Sequence, residues 1–209
     1  MIPKVIFQTA KEPLPPYVSE MFLSRCPGFT YEFYDDAGCI AFFLENPDTE
    51  FSNIASVFHQ FHDGAHKADL FRYYYLYKRG GVFIDSDAMV YDDISSIVEN
   101  HDFFSVLSAF PGTIFQGILG SKGGNKMIYW ALKHLYEVNP LDLTRDYYLC
   151  VKQMYQIVMF SEEMEQGGCK IKLFSEIQEE DYALVIEPEN RQIIFIHFWK
   201  HKAIPANFP

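Results

Sequence analysis

The sequence predicts an α/β fold in one domain, and three observations carry that prediction. Strand-like, helix-like and again strand-like runs alternate before residue 36. A proline-free helical stretch over 64–79 stops at Gly80-Gly81 and turns at once into the apolar strand VFI. The C-terminal third returns to strands with KIKLF, YALVIE and QIIFIHFW.

The elements read as follows. Residues 4–7 form a first strand, and the proline-rich KEPLPP after it is a loop or stiff turn. A short helix over 17–24 leads to TYEFYD, 30–35, which alternates as a strand and ends on two aspartates. Asp35 or Asp36 then caps a helix over 37–45. Residues 50–62 read as a helix carrying His59 and His62, taken as ordinary surface histidines rather than a metal pair. The helix over 64–79 is apolar or aromatic nearly all round and is therefore buried, yet it holds Asp69 and Arg72 three apart on one face. Such a pair needs each other or a ligand. Strands follow at 103–109 and 113–120, then helices over 124–137 and 145–165 parted by NPLDLT, and the tail KHKAIPANFP is a loop.

Bulk composition bounds the function. A chain of 209 residues, 49% apolar and 17% aromatic, builds a real core and is not disordered. The formal charge of -11 argues against a nucleic-acid partner, since a phosphate-backbone binder carries a basic surplus. A phosphate-bearing small ligand stays open if a divalent metal or a few local cations neutralise it. Cys26, Cys39, Cys150 and Cys169 form no CxxC pair and read as free, mostly buried thiols, which suits a reducing compartment. The opening residues have no signal-peptide pattern and no apolar run reaches membrane length, so the expected location is cytoplasmic.

The stretch GGVFIDSDAMV, 80–90, is the most informative. Asp85 and Asp87 leave an apolar strand together and, on an extended backbone, point the same way. Two carboxylates so close repel unless something positive answers them. A hard divalent cation does this through oxygen ligands and bridges to substrate phosphates, and strand ends are where α/β ligand crevices form. Asp92 and Asp93 read instead as loop or capping residues. Two enzyme classes use such a pair. In phosphatases of the haloacid-dehalogenase type Asp85 would be the nucleophile, but the pair comes late and Met89 stands where Thr or Val is usual. In nucleotide-sugar glycosyltransferases the metal holds the diphosphate leaving group.

Four segments carry a resemblance that favours the second, with the phosphatase kept as the alternative enzyme. ADLFRYYYLYKRGGVFIDSD, 68–87, resembles the core of the glycosyltransferase family with the DxD sugar-binding region, which includes yeast-type α-1,6-mannosyltransferases and bacterial capsular and oligosaccharide transferases. The opening IPKVIFQT, FQGILGSKGGNKM at 115–127 and HFWKH at 197–201 support it, and the glucosylating domains of large clostridial toxins are more remotely similar. In this chain Phe7 stands where many relatives have His, Ala68 where Ser is common, and Gln116 or Gly117 where Asn is often seen.

The resemblance implies a single GT-A domain over 1–209 with a mixed central sheet, acting as a retaining, metal-dependent hexosyltransferase. Its donor would be a UDP- or GDP-linked sugar, its cofactor Mn2+ or Mg2+, and its acceptor a glycan, glycolipid or protein, as in polysaccharide biosynthesis. Asp87, Asp85 and His197 are the implied metal ligands. Asp69, Arg72, Asp85 and Asp87 are the implied catalytic set. Val5, Phe7, Gln8, Thr9, Asp69, Arg72, Asp85, Gln116 and Trp199 would bind the donor. His201 and Lys202 would add charge at the mouth, on a tail that closes once donor binds. Acceptor recognition falls to residues 36–64 and 139–168. An acceptor anchored in a membrane would place the protein at a membrane surface, though no basic amphipathic helix demands it. A sugar-nucleotide binding module with a decayed centre is the non-catalytic alternative.

Overall fold

A computed structural model describes residues 1–163 and 168–206. Strands β1 (Val5–Thr9), β2 (Thr30–Tyr34), β3 (Gly80–Ile84), β4 (Ala88–Val90), β5 (Phe103–Leu107), β6 (Ile114–Lys122), β7 (Ile171–Gln178), β8 (Ala183–Ile186) and β9 (Ile193–His197) form one sheet. Helices α1 (Pro16–Arg25), α2 (Asp36–Glu45), α3 (Ile54–Gln60), α4 (Gly64–Lys78), α5 (Ser95–Asn100), α6 (Lys126–Glu137), α7 (Pro140–Arg145) and α8 (Leu149–Glu163) flank it. The sheet is mixed, as expected. β1 runs parallel to β2 and β3, and β5 parallel to β7, while β6, β8, β9 and β4 pair antiparallel with their neighbours.

Strand order, β2-β1-β3-β6-β5-β7-β8-β9-β4, has a geometric consequence for Asp85 and Asp87. β3 and β4 are consecutive in the chain yet six places apart in the sheet. A flat sheet would put them ~29 Å apart, whereas the link from Ile84 to Ala88 reaches ~14 Å at most. The sheet therefore curls until its β4 edge returns beside β3, and the DSD segment bridges the closure.

Side-chain alternation along β3 divides the core. Val82 and Ile84 pack with Met89, Phe104, Phe174 and Phe195 on one face. Phe83 packs with Phe7, Phe71, Tyr74 and Tyr75 under α2, α4 and α6 on the other. Phe7 is wholly buried there and stacks on Tyr75 at 3.9 Å between ring centroids. This corrects its expected place at the donor: a ring exchanged for the polar side chain of relatives joins the core, where its burial is worth ~1.5–3 kcal/mol.

Local signals account for most boundaries. Asp35 caps α2 by accepting from the Gly38 N–H at 2.7 Å, and Asp63 caps α4 by accepting from the Ala65 N–H at 2.9 Å. Gly80, at φ 72°, ends α4 where a Cβ would lie 2.6 Å from the Gly123 nitrogen. The expected helix over 50–62 is shorter, α3 alone. NPLDLT, expected as a break, forms α7, capped by Asn139 with Pro140 at its first turn. β4 was hidden in the sequence, because a three-residue strand is too short to show alternation. Asp93 accepts from the Ser95 N–H at 2.9 Å as α5 begins, a capping role as expected. No helix among the described residues is long and apolar enough to cross a membrane.

Candidate active site

The site is built around the turn that closes the sheet. The Asp85 N–H donates to the Gly117 carbonyl at 2.7 Å, continuing the β3–β6 ladder one step beyond Ile84. The Ala88 N–H then donates to the Asp85 carbonyl at 2.9 Å, so the backbone turns rather than staying extended. The two carboxylates accordingly part company: Asp85 faces α4 and Asp87 faces β9. Gly117 is required here, since a Cβ would sit 2.4 Å from Asp85 Oδ2 and 2.3 Å from the Phe115 ring.

Arg72 on α4 holds Asp85. Its Nη2 lies 3.2 Å from Asp85 Oδ1 and 3.5 Å from Asp69 Oδ1, its Nη1 donates to the Gln116 carbonyl, and its guanidinium lies 4.0 Å from the Phe83 ring centroid. Burial works against the arginine's charge, and Asp85 and Asp69 more than offset it. Asp69 sits behind Arg72, buried with His66 and Cys150, and burial pushes its carboxyl upward against Arg72. It faces this interior cluster rather than lining the cleft, so the sequence-level picture of Asp69 and Arg72 side by side on a sugar becomes one of Arg72 at the wall with Asp69 as its support.

Asp87 faces His197, with Oδ2 3.8 Å from Nε2. Burial first, and Asp85 second, push its carboxyl up to about 6. His197 Nδ1 lies 3.3 Å from Glu176 Oε1, and its ring stacks on Phe115 at 4.3 Å. Glu176 also accepts from the Ser108 hydroxyl at 2.9 Å and the Ala109 N–H at 3.1 Å. Burial opposes the His197 charge, but Glu176 and then Asp87 raise its pKa overall. Glu176 escaped the sequence reading because nothing at 171–178 distinguishes it from any acidic residue on a strand.

Gln8 has a different place from the one expected. It is fully buried, donates from Nε2 to the Asp85 carbonyl at 2.9 Å and accepts from the Tyr31 hydroxyl at 2.9 Å. It clamps the turn from below. Val5 lies at the opposite end of β1 from Thr9, ~13 Å along the strand, and only Thr9 of the two reaches the cleft. Gln116 is buried, accepts from the Tyr73 hydroxyl, and leaves its Nε2 without a partner. Trp199 Nε1 is likewise buried and unpartnered. The tail is tied down at Ile204, which is buried and whose carbonyl accepts from Tyr17 Oη at 2.7 Å.

A cleft of about 590 Å³ opens above the turn, lined by Thr9, Lys11, Tyr34, Asp36, Lys67, Arg72, Asp85, Asp87 and Lys202 among others. Its lining brings Lys11, Lys67, Arg72 and Lys202 against Asp36, Asp85 and Asp87, a cationic surplus inside a protein of charge -11. A larger cavity of about 950 Å³ lies between α6 and α8, walled by Met127, Trp130, Ile157 and Phe160. Neither Arg72 nor the DXD turn lines it.

The residues fit a hard divalent cation in part. The half-buried Asp87 carboxylate beside the His197 imidazole offers the oxygen and nitrogen ligands such a cation accepts. Asp85 is committed to Arg72, so the three expected ligands, Asp85, Asp87 and His197, do not converge. Among the described residues, the group whose ligating atoms all fall within 4.8 Å of one another is His66, Asp69 and Cys150, where Arg72 already supplies the positive charge.

Residues 16–104 match the glycosyltransferase sugar-binding region containing DXD motif, a stretch that includes α4, β3 and the Asp85–Asp87 turn. The resembling segments at 2–9, 115–127 and 197–201 lie outside the matched residues. No curated protein matches the chain. A solved structure titled PaToxG Glycosyltransferase matches with a TM-score of 0.55 at 12% identity, covering 80% of this chain and 72% of that one, and gives the same GT-A-type fold. The DXD turn at the end of β3 thus lies in a stretch similar to the glycosyltransferase sugar-binding region containing DXD motif, beneath a cleft lined by four cations, in a chain that shares the fold of a solved glycosyltransferase.

Proposed function

We propose that the protein is a retaining, metal-dependent hexosyltransferase using a UDP- or GDP-linked sugar. The observation that carries this reading is Asp87, a half-buried carboxylate 3.8 Å from His197 in the DXD turn, at the mouth of a cleft whose other walls carry a cationic surplus. Such a site is electrostatically incomplete without a cation at Asp87 and an anion beside it.

Asp87 and His197 would hold Mn2+ or Mg2+, with Glu176 fixing the imidazole through its Nδ1 side. When bound, the ion would neutralise the departing diphosphate. Lys11, Lys67 and Lys202 would draw the phosphates in, and Thr9 and Tyr34 at the ends of β1 and β2 would flank the nucleoside. Asp85, kept in place by Arg72 and by the clamp from Gln8, would accept from ribose or sugar hydroxyls. Gln116 Nε2 and Trp199 Nε1 are buried without a partner but do not line the cleft, so neither is assigned to the donor. Neither Asp69, turned inward, nor Asp85, paired with Arg72, stands free as a covalent nucleophile. That supports front-side displacement in which the diphosphate takes the acceptor's proton.

The test is a panel of UDP- and GDP-sugars with Mn2+, scored by thermal shift and by nucleoside-diphosphate release. One nucleotide series should raise the melting temperature, with release of diphosphate. Stabilisation without release would favour a decayed binding module. Phosphate release from simple phosphomonoesters, lost when Asp85 is replaced, would favour the phosphatase and reject the transferase.

A further inference from the structure

A second cavity adjoins the donor cleft and is a candidate for the other substrate. It has a volume of about 350 Å³ and shares His62 with the donor cleft as a wall. Its lining comes from two segments far apart in sequence. Phe61, His62 and Asp63 precede α4, and Leu143, Thr144 and Tyr147 belong to α7 and the turn after it. Phe61 and Leu143 are buried and form an apolar floor, while Tyr147 is 52% exposed and presents its ring to the opening. His66, also in the lining, packs against Tyr147 with ring centroids 5.3 Å apart, and its Nε2 lies 3.4 Å from the Tyr147 carbonyl. That contact fixes the turn between α7 and α8 against the start of α4.

We infer that this cavity binds a pyranose ring of a carbohydrate acceptor, an inference that rests on the transferase reading above. Its chemistry is that of a sugar. A pyranose has apolar C–H faces and a rim of hydroxyls. The cavity offers an exposed aromatic face at Tyr147, an apolar floor, and polar groups at Asp63, His62 and Thr144 on its edge. Its size falls in the small-ligand range and is concave, unlike the broad flat patch of ~800 Å² per partner that docks a folded protein. Its position fits transfer. Asp63, Asp69 and Asp85 all act on the Tyr147 hydroxyl, which, after burial, they help push above the ordinary tyrosine range, so the ring stands within electrostatic reach of the DXD turn. An acceptor hydroxyl held here would approach the donor past His62.

The test is saturation-transfer NMR on the full chain with Mn2+ and UDP or GDP present, using methyl α-glycosides of neutral hexoses as probes. The wild type and Tyr147→Phe should transfer saturation to at least one glycoside. Tyr147→Ala should weaken that binding by about tenfold, as truncating an aromatic anchor does, while calorimetry shows wild-type affinity for the nucleoside diphosphate. Equal glycoside binding by Tyr147→Ala would overturn the assignment. So would loss of nucleotide affinity in that variant, which would make the cavity part of the donor cleft. Saturation of serine- or tyrosine-containing peptides with none to any glycoside would replace the sugar by a protein acceptor. A wild type that binds glycosides but no nucleoside diphosphate would leave the cavity's ligand standing and reject the donor reading instead.

Discussion

At the scale of single residues, the site depends on what is absent at 117. The β6 strand passes beneath Asp85 with no side chain at Gly117, and the Asp85 carboxylate occupies the space a methyl group would fill. Gly117→Ala therefore forces Asp85 or Phe115 to move. We expect a stability loss of ~1–3 kcal/mol, as for an overpacked core site, with weaker nucleotide binding than that loss alone explains. Urea denaturation and calorimetry on the same protein would check both, and a variant of wild-type stability and affinity would show that Asp85 is not confined. This constraint was not legible from the sequence, where Gly117 is one glycine in FQGILG. The carboxylates were legible, because two charges ending an apolar strand need a reason. The roles of Gln8 and Phe7 were not: alternation along β1 assigns sides but cannot say which side faces a cleft, and the fold puts Phe7 in the core and Gln8 under the turn.

At the scale of elements, α4 is the pillar of the site. Its length, glycine stop and burial could be read from the sequence, as could the Asp69–Arg72 face. What could not be read is that Arg72 spends its donors across elements, on Asp85 after β3 and the Gln116 carbonyl on β6. These partners are 13 and 44 residues away in the chain. Arg72→Ala leaves Asp69 and Asp85 without their cation, and removal of one partner from a buried ion network costs ~3–5 kcal/mol. The urea midpoint should fall accordingly, and Arg72→Lys should recover part of it because one ammonium cannot serve all three acceptors. A loss below ~1 kcal/mol would mean that the network is solvated, as exposed pairs are. The cap of the same helix gives a smaller effect: Asp63→Ala should cost ~1 kcal/mol and Asp63→Asn much less, read by thermal denaturation.

At the scale of the whole molecule, the alternation of strands and helices fixed the class but not the closure. β4 is too short to announce itself, and the return of the β4 edge to β3 is a long-range fact that no local pattern encodes. The closure brings His197, at the end of β9, to Asp87 just before β4, through the register Ala88 with His197. The late His-Trp segment thus reaches Asp87 by strand pairing. Packing also governs the thiols. Cys26, Cys39 and Cys150 are buried, and burial pushes Cys26 up to about 11 and the other two further, while Cys169 is partly exposed. Native protein treated with iodoacetamide at pH 8 should be alkylated at Cys169 well before the others, as mass spectrometry of digests would show. Rapid labelling of Cys39 or Cys150 would mean that the helical layer around α4 opens readily.

The most direct measurement is titration calorimetry of UDP and GDP into the protein with and without Mn2+, repeated on Asp87→Asn, which keeps the shape of the side chain and removes its charge. Our account expects Mn2+-dependent uptake of one of the two nucleotides by the wild type and a loss of at least about tenfold in that affinity for the variant, the range seen when a metal site is disturbed. Uptake that ignores both the metal and the substitution would contradict it.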